Sequence, residues 1–348
     1  MPKKRLYYLD MAKGAGIFLV VLGHIEYLNP DIQRWISSFH MPLFFTVGGI
    51  LIYIKEASET SFKEQCIRRA KGILVPYVSF SLILLTMRTF EYFVQPERIT
   101  GRELMKEFVE SLTGYGIYTL WFLPAYFLSC ILFSLLCSLL KEKTYSEWIL
   151  CLLVFSLAGF ALKAASVLGV TEYSTTEEPL SWYAVMGILI VLLRVLIVLP
   201  FFLLGRWYGK TAAGSEKKSV LFITGTMLLG AGVYLSGRLP VMDLHYLFIS
   251  PLHYVSAAVS CTGLLNILKA LPKSRVLSYL GQNSLIIMCT HAGMFVVYYV
   301  SLGMFFVRKF IPVTDTVLYL ETAVMVCIAE IPIIRIFNRF FKHLLGRT

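Results

Sequence analysis

The chain has 348 residues, of which 57% are hydrophobic and 15% charged, with a mean hydropathy of +0.71. A water-soluble domain carries about 45–50% apolar and about 25% charged residues, so this composition excludes a soluble fold and predicts an all-α integral membrane protein. The net charge of +11 does not imply nucleic acid, because membrane proteins carry excess Lys and Arg on their cytoplasmic loops.

Ten spans are predicted, each bounded by charge or by Pro and Gly clusters: about 7–28, 35–54, 73–94, 115–140, 147–169, 181–205, 219–237, 250–271, 282–307 and 316–337. The first begins after Lys3, Lys4 and Arg5 but holds Asp10, Lys13, His24 and Glu26, with no small-residue cleavage site, so it is not expected to be a cleaved signal. Between the third and fourth spans, residues 95–113 place Ile99, Leu104, Phe108 and Leu112 at helical spacing, which predicts a short amphipathic helix at the interface. Residues 170–180 are acidic and polar, which suits an outer loop. No repeat of 20–50 residues and no inverted symmetry is visible. The whole of 1–348 is therefore expected to form a single polytopic membrane domain.

Counting cations sets the orientation. Twenty-one Lys and Arg fall on the N-terminus, the C-terminus and alternate loops, and seven on the opposite set. That bias predicts both termini in the cytoplasm of a multi-pass protein of the cell membrane. The seven cysteines are scattered singly, which indicates neither a disulfide framework nor a metal site.

A titratable side chain inside an apolar span is costly and by default marks function. Lys13 and His24 are eleven positions apart, which on one helix returns to nearly the same face about 16 Å further on. The second span, running inward, brings His40 to a depth comparable with His24. Asp10 pairs with Lys13 at i, i+3. Glu26 points away from His24, a poor partner on the same helix. Arg194, Glu321 and Glu330 are expected to sit in buried ion pairs or polar cavity walls, and His245 and His253 to be exposed. Neither a P-loop nor a dinucleotide fingerprint nor a serine elbow is present.

The string YLDMAKGAGIFLVVLGHI at 8–25 resembles the opening of the membrane acyltransferase 3 family, whose signature is a basic residue, ten residues and then His. FHMPLFFTVGG (39–49), RRAKGILVPY (68–77), LWFLPAYF (120–127) and LGQNSLIIMCTH (280–291) continue the likeness in family order. The similarity covers most of the chain and is strongest to the fucose 4-O-acetylase-like branch. It implies O-acylation: transfer of an acetyl or other acyl group from acetyl-CoA, as donor co-substrate and without metal, to a hydroxyl of a cell-envelope polysaccharide or its lipid-linked precursor. Under it, Lys13, Arg68, Arg69 and Lys71 are expected to bind the donor, and His24 to act as general base. His40 or Trp121 would stabilise the oxyanion, and His291 and Asp10 would contact substrate. The alternative from another class is an exporter of an envelope saccharide, with the same charges lining its path.

Overall fold

A computed structural model describes residues 6–25, 28–56, 61–95, 97–140, 145–170, 173, 178–211, 217–308, 310 and 314–347. The described residues form helices without strands: α1 (Tyr7–Gly23), α2 (Pro30–Glu56), α3 (Phe62–Val94), α4 (Gly101–Thr113), α5 (Phe122–Leu140), α6 (Ser146–Val167), α7 (Leu180–Ile197), α8 (Leu199–Thr211), α9 (Lys218–Ser236), α10 (Pro251–Ala270), α11 (Arg275–Gln282), α12 (Ser284–Thr290), α13 (Val296–Arg308) and α14 (Asp315–Phe340). Short 3-10 turns at Tyr118–Trp121 and Lys342–Leu345 complete them. Eight helical stretches among the described residues are long and apolar enough to cross a membrane. In lipid, only closed backbone hydrogen bonding avoids orphaned peptide groups, and helices provide it. The protein is an all-α integral membrane protein.

Eight of the ten predicted spans coincide with those stretches. The other two are short or broken. The first ends at Gly23, giving α1 17 residues. The ninth is interrupted at residues 291–295, between α12 and α13.

The chain divides into two compact units. The first takes residues 1–57, 201–243 and 249–334, and so holds α1, α2, α9 to α13 and most of α8 and α14. Its helices meet through glycine. A Cβ on Gly14 would lie 1.9 Å from the Leu277 carbonyl oxygen, and one on Gly281 would lie 1.8 Å from that of Asp10, so α1 and α11 touch backbone to backbone. Gly49 and Gly205 do the same for α2 and α8, against Phe202 and Thr46. Membrane helices gain little from burying apolar surface against each other, so close contact of small residues carries their association.

The second unit takes residues 58–200, 244–248 and 335–348. Arg88 of α3 ties α4 to it, with Nε 3.0 Å from both carboxylate oxygens of Glu107. Tyr77 adds a hydroxyl donated to the Ser111 carbonyl at 2.6 Å. The predicted amphipathic helix at 95–113 exists as α4, closed at its start by the Thr100–Glu103 capping box and at its end by Gly114 at φ +79°. Its burial is the reverse of a soluble helix. Phe108 and Leu112 are exposed, whereas Glu110 and Ser111 are buried. An outward apolar stripe is what a helix against lipid presents.

Candidate active site

Three imidazoles of the first unit are held in one way. His24 is the C-cap of α1. The last turn tightens there, so that the His24 backbone N–H reaches Val21 at 3.1 Å rather than Val20. The Val20 carbonyl is instead taken by the ring, with Nδ1 at 2.8 Å. His40 places Nδ1 2.7 Å from the Ile36 carbonyl, and His291 places Nδ1 2.6 Å from that of Ile287. A carbonyl oxygen only accepts, so hydrogen-bond logic assigns the proton of each neutral ring to Nδ1 and leaves Nε2 as a lone pair.

Two of these rings meet directly. His24 and His291 lie edge to face, centroids 4.9 Å apart at 86°. His291 is fully buried at the point where α12 stops, and its Nε2 has no hydrogen-bond partner. His40 lies within electrostatic reach of His24. Among the described residues, no three His, Cys, Asp or Glu side chains are grouped to hold a metal ion.

His24 is exposed, and it lines a cavity of about 510 Å³. That volume falls in the range of small-molecule sites, about 300–1,000 Å³. Tyr298, Ser301, Phe305 and Arg308 of α13 form one wall, and Tyr319 and Thr322 of α14 the other. Sequence reasoning missed this lining. The signal was present: 298, 301, 305 and 308 repeat at helical spacing and bring a hydroxyl and a cation onto one face of an apolar helix.

Asp10 and Lys13 form the predicted pair, at 3.3 Å, on α1 below His24. The remaining expected site residues belong to the second unit. Arg68 and Lys71 are exposed, while Arg69 donates to the Cys130 carbonyl at 3.2 Å and to Ser134 Oγ at 2.6 Å. The Trp121 indole stacks on His245 at 5.7 Å and 10°. Arg194, fully buried, lies 4.7 Å from the centre of that indole and donates from Nε to the Leu244 carbonyl at 3.0 Å. Glu26 lies outside the described residues, as do 171, 172 and 174–177 of the acidic loop.

Three expectations are corrected. His253 is buried, its Nε2 3.0 Å from the Pro240 carbonyl, and His245 is packed rather than exposed, because the 244–248 segment folds in to satisfy Arg194. Glu321 is exposed. Glu330 is fully buried, with a hydroxyl and not a cation as its hydrogen-bonding neighbour.

The model of the acyltransferase 3 family, described as an acyltransferase domain, matches residues 6–330. No curated protein and no solved structure matches the chain. The match takes in α1 to α13 and α14 as far as Glu330, so the histidines, the cavity wall and the Asp10–Lys13 pair all lie inside it, and this chain belongs to the acyltransferase 3 family.

Proposed function

We propose that this membrane acyltransferase moves an acetyl group from acetyl-CoA to a hydroxyl of a cell-envelope saccharide or its lipid-linked precursor, in the fucose 4-O-acetylase-like branch of the family and at the plasma membrane. The observation that carries the reading is His24 lining a ligand-sized cavity while its Nδ1 is tied to the Val20 carbonyl, which leaves Nε2 as the basic nitrogen. A neutral imidazole aimed at bound ligand is the usual general base for a hydroxyl.

The step balances as follows. Nε2 of His24 takes the hydroxyl proton as the oxygen attacks the thioester carbonyl carbon. The C–S bond breaks, and His24 returns the proton to the departing thiolate. The oxyanion formed on the way needs a donor. With Nδ1–H committed to Ile36, His40 supplies one only as an imidazolium. The indole N–H of Trp121 is a donor in its neutral state. Lys13, Arg68 and Lys71 are each assigned to the donor's phosphates, and Asp10 holds Lys13 in place. Arg69 retains less freedom for that role, because Ser134 and Cys130 already engage it.

The test is transfer by purified protein in nanodiscs, using acetyl-CoA labelled in the acetyl group and a lipid-linked saccharide extract. Label in the saccharide fraction is expected, with His24→Ala reducing it at least about a hundredfold while saturable CoA binding persists. No transfer together with no saturable CoA binding would overturn the reading in favour of an exporter.

A further inference from the structure

Glu330 of α14 is fully buried in the first unit. Its Oε2 lies 2.7 Å from Thr290 Oγ1, and its Oε1 has no hydrogen-bond partner. Thr290 is also fully buried and is the last residue of α12. Its Oγ1 makes a second contact, 2.8 Å from the Ile286 carbonyl. One hydroxyl has one proton, so it cannot donate to both oxygens. Both contacts are satisfied when the carboxyl carries its own proton. Thr290 then donates to Ile286, and Glu330 donates to Thr290.

Such a carboxyl in a membrane span is expensive, and an apolar side chain would fill the same volume without that cost. Its placement gives it a use. The residue after Thr290 is His291. The backbone then leaves the helix for 291–295, with Phe295 in the left-handed region at φ +57°. Two α-type bonds still run through the end of α12, His291 N–H to Ile287 at 3.0 Å and Met294 N–H to the Thr290 carbonyl at 2.9 Å, before the helix breaks beside the ring that faces His24. The break itself is irregular: Phe295 N–H to Ala292 at 3.0 Å, and Val297 N–H to His291 at 2.9 Å.

We infer that Glu330 is a positioning residue for the histidine pair, clamping Thr290 and with it the end of α12, so that the His291 ring stays edge to face with His24. The inference rests on the acyl-transfer reading for its activity test, but not for its geometry. It takes the carboxyl as a neutral hydrogen-bonding group, not as a counter-ion.

The test uses the full chain in nanodiscs, wild type beside Glu330→Gln, Glu330→Ala, Thr290→Ser and Thr290→Val. Two quantities are read: transfer of label from acetyl-CoA, split into kcat and KM, and the rate at which diethyl pyrocarbonate modifies His24 and His291, resolved by peptide mass spectrometry. Gln and Ser keep a donor and an acceptor in place, so both variants are expected within about threefold of wild type in both readouts. Ala and Val are expected to lower kcat by about tenfold to a hundredfold, the range that misplacement of a reacting group produces. The KM for acetyl-CoA should stay unchanged, and the histidine modification rates should shift together.

Two results would overturn the inference. One is Glu330→Gln falling as far as Glu330→Ala in folded protein, which would make the charge essential. The other is wild-type kcat and modification rates in both Ala and Val variants, with only the melting temperature lowered. If Glu330→Ala does not fold, Thr290→Val carries the test. If wild-type protein neither transfers label nor binds CoA saturably, the acyl-transfer reading fails, and the modification rates still decide the positioning role.

Discussion

At the scale of single residues, the recurring device is an imidazole whose Nδ1 is tied to the carbonyl four residues back. It appears at His24, His40 and His291. A histidine in a catalytic triad is oriented by a carboxylate; here the helix itself orients it, which needs no additional charge in the membrane. His245 shows the opposite use of the ring. It stacks on Trp121 beside Arg194, and burial together with that guanidinium holds its pKa well below the ordinary value. The folded state therefore binds fewer protons here than the unfolded chain. Stability from this site is full above the unfolded pKa near 6.5 and falls as pH drops below it, by up to about 1.4 kcal/mol per pH unit. Thermal unfolding between pH 7 and pH 5 should show a shallower loss of Tm in His245→Gln than in wild type. An unchanged slope would remove His245 from the account.

At the scale of elements, the glycine contacts set how firmly the site is seated. Gly14 and Gly281 let α1 and α11 touch at Leu277 and Asp10, and α1 carries both the Asp10–Lys13 pair and His24. Neither glycine can gain a Cβ without displacing backbone. Gly14→Ala and Gly281→Ala should each cost about 1–3 kcal/mol and move Lys13 and His24 together, giving a fall in Tm with loss of transfer. Wild-type activity in Gly281→Ala would show that α11 gives way cheaply. The sequence was explicit about how many apolar segments there are and vague about where they stop. Hydropathy located eight spans well, because length and apolarity are what it measures. It overran Gly23 and missed the break at 291–295, since the end of α1 and the turn after α12 are decided by local hydrogen bonding to side chains. Lys13, His24, His40 and the Asp10 pair were legible, being charged or titratable groups on apolar helices. Ser301 was legible in its helical spacing with 298, 305 and 308 but was missed; Thr290 and the packing of His245 were not legible, since each depends on which helices become neighbours.

At the scale of the whole molecule, the loop cations predict that α3 begins on the cytoplasmic side and that α4 lies outside. Lys63→Cys and Glu103→Cys, both exposed sites, placed singly in a cysteine-free background, test this in intact cells. An impermeant thiol reagent is expected to label position 103 and to reach 63 only after lysis; the reverse would invert the orientation. The way α1 ends has a further consequence, for lineages and not for laboratory variants. Under the proposed reaction one codon answers two demands, since residue 24 would accept a proton and it occupies the carbonyl that its helix gives up at Val20. A descendant that abandoned the chemistry would be freed from the first demand only. Retired copies of this protein should therefore drift at position 24 toward Asn, Gln or Ser, side chains that still donate, and not toward Leu or Val, and a survey of inactive homologues would count them.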